Sequence, residues 1–145
     1  MMRTTPEAVV SVVVPVYNGE RYVAEALASV LNQGPELLEV VVMDNASTDR
    51  TSDIVTAIGD TRIRYERQEV LVPAWQNWSD ACSLVRGAFT KVVCADDRLL
   101  PQALATQVSL LSKFPSAAGA CGARNVITDS GRPFPLPSGS REAGG

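Results

Sequence analysis

Apolar and polar positions along the chain fall into blocks with two different periods. Val9-Val10-Ser11-Val12-Val13-Val14 is a β-branched run, apolar on both faces, which predicts an inner strand of a parallel sheet covered by helices. Pro15 is expected to end it. Tyr22, Val23, Ala26, Leu27, Val30 and Leu31 then recur at helical spacing, with Asn18 as the predicted cap and Gly34-Pro35 as the stop. The unit repeats: Leu37 to Met43 reads as a second strand, Asp44 to Asp49 as a polar loop, and Thr51 to Ile58 as a helix with Ile54, Val55 and Ile58 inward. Gly59-Asp60 closes that helix. Two strand-to-helix units in a row predict right-handed crossovers and a mostly parallel α/β sheet.

A third, more polar strand is predicted from Ile63 to Glu66, near a sheet edge. After Pro73, Trp75, Trp78, Cys82 and Val85 share one helical stripe, and two tryptophans so spaced are expected in the core. Phe89 to Ala95 reads as a buried strand ending in Asp96-Asp97. A helix is predicted from Pro101 to Phe114-Pro115, with Leu104, Val108 and Leu111 on one face. A last strand, Ala118 to Ile127, leads to the turn Asp129-Ser130-Gly131. The domain is thus expected over residues 9–130, after a loose lead-in at 1–8. From 131 to 145 the chain turns to Pro, Gly and Ser, which predicts a disordered tail.

Composition narrows the function classes. A length of 145 residues with 46% hydrophobic positions predicts one domain with a real core. The formal net charge of -3 argues against general nucleic-acid binding. Cys82, Cys94 and Cys121 form no CxxC pair, so neither a disulfide framework nor a zinc site is suggested, and each is expected to be a small core hydrophobe. No run approaches the ~18 apolar residues of a membrane span, and a cytoplasmic, possibly membrane-peripheral location is expected. Asn45-Ala46-Ser47 and Asn77-Trp78-Ser79 fit the glycosylation pattern, which carries little meaning in that setting.

In an open parallel sheet, ligands bind beyond the carboxyl ends of the strands. Three polar clusters follow three apolar strands here: Pro15-Val16-Tyr17-Asn18-Gly19-Glu20, Asp44-Asn45-Ala46-Ser47-Thr48-Asp49, and Asp96-Asp97. Such convergence suits a nucleotide whose phosphates meet the acids through a metal. Two adjacent carboxylates repel one another unless a cation or a proton intervenes, although acids before a helix also suit its positive end. There is no GxGxxG after the first strand and no GxxxxGK[ST], which disfavours a Rossmann dinucleotide site and a P-loop. The chain has no histidine, so histidine triads and histidine metal sites are excluded within it. Carboxylate-bound Mn²⁺ or Mg²⁺ at Asp96 and Asp97 fits the donors present.

Val12-Val13-Val14-Pro15-Val16-Tyr17-Asn18-Gly19-Glu20, then Val41-Val42-Met43-Asp44-Asn45-Ala46-Ser47-Thr48-Asp49, then Ala95-Asp96-Asp97 with Leu99 and Pro101, resemble glycosyltransferase family 2 in order and spacing. The resemblance runs from about Val10 to Leu111. It implies a GT-A fold, a Rossmann-like three-layer sandwich cut short after the donor-binding half, and inverting transfer of a sugar from a UDP-, dTDP- or GDP-sugar to a glycan, lipid-linked or other acceptor. On that resemblance Pro15, Val16, Tyr17, Asn18 and Glu20 form the first nucleotide-contact loop. Asp44, with Asn45 and Ser47, faces base and ribose, while Asp96 and Asp97 match the metal-binding DxD region.

Three positions depart from the pattern. Asn45 stands where many members carry an aspartate, Cys94 replaces the first acid of the DxD form, and Gln76 replaces an arginine. The general base that inversion needs is not evident, since Asp129 lies in a turn. Exposed apolar surface and self-association, or completion by a partner chain, are expected of such a donor half. Two other readings stay open: a non-catalytic remnant that only binds nucleotide, and a receiver-like Mg²⁺-binding signalling domain.

Overall fold

The computed structural model describes residues 8–134, so nearly all of the predicted lead-in and residues 135–145 of the predicted tail lie outside the described residues. Strand and helix alternate as β1 (Val10–Val16), α1 (Val23–Leu31), β2 (Leu37–Asp44), α2 (Thr51–Ile58), β3 (Ile63–Arg67), α3 (Ala74–Ser83), β4 (Phe89–Val92) and α4 (Ala103–Lys113). All strand pairs are parallel, in the order β3-β2-β1-β4. The more polar β3 therefore takes an edge, as its sequence predicts.

Every residue of β1 is buried, as a central strand covered on both faces requires. Val10, Val12, Val14 and Val16 pack with Val40 and Val42 against α1, α2 and α4 through Val23, Leu27, Val30, Val55 and Leu104. On the other face Val13, Val41 and Met43 meet Ala81 of α3. These are the three layers: helices, sheet, helix.

Pro15 does not end β1, which runs on to Val16 with Pro15 opposite Met43. The peptide groups of Val9 and Val13 face β4, accepting from Phe89 and Val93 at 3.1 and 2.9 Å, while Val16 accepts from Asn45 on the β2 side at 2.8 Å. The donor that Pro15 lacks belongs on the β4 side, where that strand has already ended, so the proline costs the sheet nothing. Asn18 is no helix cap. It sits at φ 49, a left-handed value that Asn tolerates, and α1 begins five residues later.

Other expectations fail for identifiable reasons. β4 stops at Val92, short of Ala95, and α4 begins at Ala103 rather than Pro101. Ala118 to Ile127 forms no strand: its residues are exposed except half-buried Ala120, and its one bridge pairs Ile127 with Pro133. A strand needs a partner, and this segment is not hydrogen-bonded to the free edge of β4. Trp75 and Trp78 are exposed by 73% and 40%, because α3 turns Asn77 and Ala81 inward. Cys82 shares the outward stripe; it and Cys121 are exposed, and Cys94 is half-buried, so none is a core hydrophobe. No helix among the described residues is long and apolar enough to cross a membrane.

Candidate functional site

The parallel register brings the ends of β1 and β2, Val16 and Asp44, side by side, and β4 delivers the segment Cys94 to Asp97 on the other side of β1. The three polar clusters therefore share the carboxyl edge of the sheet. The first two loops are laced together by backbone amides. Asn18 and Gly19 donate to Ser47 Oγ and Thr51 Oγ1, both at 2.9 Å, and Glu20 donates to Asp49 Oδ2 at 3.0 Å. In return Thr48 donates to Asn18 Oδ1 at 2.8 Å and Arg50 to Glu20 Oε2 at 3.0 Å. Gly19 is required here, since a Cβ would lie 2.5 Å from the Val16 side chain. Tyr17 is left half-exposed on the rim.

Asp49, which the sequence placed in the second polar cluster without a role of its own, and Thr51, read only as a helix start, are central to this lacing. Asp49 also accepts from the Thr51 amide at 2.9 Å and the Thr51 hydroxyl. Desolvation pushes its carboxyl up, but these donors and the Glu20 amide outweigh it and hold the group below the ordinary aspartate value. An acid two residues ahead of a threonine at a helix start was the available signal.

Asp44 is fully buried and its carboxylate is engaged from three directions. The Ser47 amide donates to one oxygen at 2.8 Å; the Tyr65 hydroxyl and Arg67 Nη1, the latter at 3.1 Å, donate to the other. Burial and the Asp44 carboxylate raise the Tyr65 hydroxyl above its usual pKa. Arg67 was missed; the parallel register sets it opposite Asp44, within reach of the buried carboxylate. Asn45 is buried as well: its amide clamps the Val72 backbone, donating at 2.8 Å and accepting at 2.9 Å.

Asp96 and Asp97 differ from all of these. Both are exposed, and among the described residues neither carboxylate accepts a hydrogen bond or an ion pair. A turn closed by the Asp97 amide on the Cys94 carbonyl, 2.9 Å, presents them together. Ligand atoms of Cys94, Asp96 and Asp97 lie within 4.8 Å of one another. Two free carboxylates so placed suit a hard divalent cation such as Mn²⁺ or Mg²⁺. The thiol suits it less: burial pushes the Cys94 pKa up, and the charges of Asp97 and Asp96 push it further the same way. The predicted Asp129 turn forms, with Gly131 at φ 76, and Asp129 docks on Arg21 at 3.2 Å.

The family model for glycosyl transferase family 2 matches residues 11–143. The chain belongs to glycosyl transferase family 2. This family 2 chain is 30% identical over 104 residues to an Escherichia coli protein, the UDP-Glc:alpha-D-GlcNAc-diphosphoundecaprenol beta-1,3-glucosyltransferase WfgD, covering 72% of this chain and 41% of the other. Staphylococcus aureus TarS, solved with UDP-GlcNAc, superposes with a TM-score of 0.68 at 30% identity, covering 73% of this chain and 32% of that one. The mannosyltransferase PcManGT of Pyrobaculum calidifontis, solved with GDP-Man and Mn²⁺, gives 0.66 at 26% identity, covering 76% and 35%. The family 2 chain has the GT-A fold of these neighbours. It spans about a third of the length of the first curated relatives it matches.

Proposed function

We propose that this chain is the donor-binding part of an inverting, metal-assisted glycosyltransferase that takes a sugar from a UDP-, dTDP- or GDP-sugar to a glycan or lipid-linked acceptor. One observation carries the reading: the sole acidic pair without protein partners among the described site residues stands on the same sheet edge as the two laced loops. In this reading Pro15, Val16 and Tyr17 contact the nucleoside, with the half-exposed ring of Tyr17 offered to the base. Asn18, Glu20 and Ser47 hold the rim in shape. Asp44 and Asn45 form its floor from behind, because their polar atoms already bind Tyr65, Arg67 and Val72. Asp96 and Asp97 hold the cation, with Asp96 also placed towards the donor phosphates. A cation bound there would neutralise charge on the departing nucleoside diphosphate as a Lewis acid.

The decisive experiment is the thermal stability of the native chain and of Asp97→Asn with UDP, dTDP and GDP, each with Mn²⁺, with Mg²⁺ and with chelator. A metal-dependent rise for one nucleotide, absent in Asp97→Asn, is the expected result and identifies the base. No rise for any combination would overturn the donor-site reading.

A further inference from the structure

Glu25 and Ser29 lie four residues apart on one face of α1, and Gln33 follows four residues further on, just past the C-cap Asn32. All three reach the segment just beyond Asp97. Arg98 pairs with Glu25 at 2.6 Å, and the Leu99 amide donates to Ser29 Oγ at 3.0 Å. Gln33 Nε2 donates to the Leu100 carbonyl at 2.9 Å, and the Leu104 amide donates to Gln33 Oε1 at 3.1 Å. Both polar side chains are fixed in turn by their own helix. Ser29 Oγ donates to the Ala26 carbonyl at 2.7 Å and Gln33 Nε2 to the Ser29 carbonyl at 3.0 Å. Gln33 is only 5% exposed.

This stripe supplies what the acidic segment lacks. Residues 93–102 belong to no helix or strand, and α4 starts from Gln102 at φ 62 with no side-chain cap of its own. The orphan amide of Leu104 is capped across the fold by Gln33, a role the sequence offered to Asp96 and Asp97. Capping by Gln33 leaves both acids free. The Asp97–Cys94 hydrogen bond closes the turn from within, but two like charges still repel, so whatever anchors the turn from outside sets how well the pair receives a cation.

We infer that Ser29 and Gln33 are positioning residues that hold the Asp96–Asp97 pair in its metal-receiving arrangement. The inference rests on the metal reading above and extends it to a helix that does not touch the metal. It also links the first nucleotide loop, which runs directly into α1, to the segment that follows the acids, through Leu99, 70 residues downstream of Ser29.

The test is Mn²⁺ binding by the full chain, read by loss of the free-ion electron paramagnetic resonance signal with and without UDP. Native, Gln33→Ala, Ser29→Ala and Asn32→Ala proteins are compared, with unfolding midpoints measured alongside. Asn32→Ala removes a side-chain bond to the Ala28 carbonyl at the same helix end without touching the acidic segment. The dissociation constant should rise about tenfold in Gln33→Ala and Ser29→Ala and stay native in Asn32→Ala. Native Mn²⁺ affinity in Gln33→Ala and Ser29→Ala, with only the midpoints lowered, would mean a purely structural role and overturn the inference while the metal reading stands. If Gln33→Ala does not fold, Ser29→Ala keeps the Leu104 cap and decides alone. No Mn²⁺ binding by the native chain under either condition would overturn both.

Discussion

The same sheet carries acidic groups at its two ends, and they live in opposite conditions. Near the start of β2, Glu39 is 1% exposed and surrounded by donors: the Ser11 hydroxyl and the Arg86 amide at 2.8 Å, the Arg86 side chain at 2.7 and 2.9 Å, and Arg64 at 3.2 Å. Burial alone would raise its pKa, but the hydrogen bonds from Arg86, Ser11 and Arg64 overcome it and bring the group down to about 2. At the far end Asp96 and Asp97 stand exposed and side by side, with no protein partner among the described residues. An acid whose acceptor sites are all filled by protein holds the fold together. A pair with no protein donors keeps its acceptor sites open to a ligand from outside.

The comparison breaks first at Glu39. Glu39→Ala leaves the Ser11 hydroxyl and the Arg86 amide without their acceptor and removes the partner of half-buried Arg64, while exposed Arg86 turns to water, and should cost about 3 kcal/mol in urea unfolding. A loss under 1 kcal/mol would show the cluster to be ornamental. Acid titration probes the same group without mutation. Its folded pKa of about 2 lies below the ordinary glutamate value of 4.5, so its contribution is complete above pH 4.5 and disappears as the pH falls towards 2. That loss should approach about 3 kcal/mol for the native chain and be absent from Glu39→Ala.

Asp97→Asn should behave in the opposite way. Without ligand its stability should stay within about 0.5 kcal/mol of native, since an exposed, unpaired charge is removed. What it should lose is the gain from nucleotide and Mn²⁺, about 2.7 kcal/mol at a hundredfold excess over the dissociation constant. The smallest effect belongs to Trp75→Ala. Its ring is 73% exposed, so thermal unfolding should move by no more than about 0.5 kcal/mol, where a core tryptophan would cost several times that.

The layered architecture was legible because buried parallel strands and amphipathic helices have distinct periods, and α2 at Thr51–Ile58 matches its expected bounds. The convergence of three loops followed from strand direction alone. Periodicity was ambiguous on α3, where a stripe through Asn77 and Ala81 competes with one through Trp75, Trp78 and Cys82. The buried one is chosen by a contact 34 residues away, Asn77 Nδ2 to the Met43 carbonyl at 3.1 Å. The Gln33 cap and the Arg67–Asp44 pair were hidden for the same reason, as partners distant in sequence. Ala118 to Ile127 has strand-like composition, but composition cannot supply the partner that a strand needs.

On the reading proposed above, Asp96 and Asp97 make the carboxyl edge a metal-dependent nucleotide site. Isothermal titration of UDP, dTDP and GDP into the native chain and Asp97→Asn, in Mn²⁺ and in chelator, tests it most directly. One nucleotide should bind the native chain at least about tenfold more tightly with Mn²⁺ than without, and Asp97→Asn should lose the difference. Equal affinity in all four conditions, or no binding in any, would contradict it.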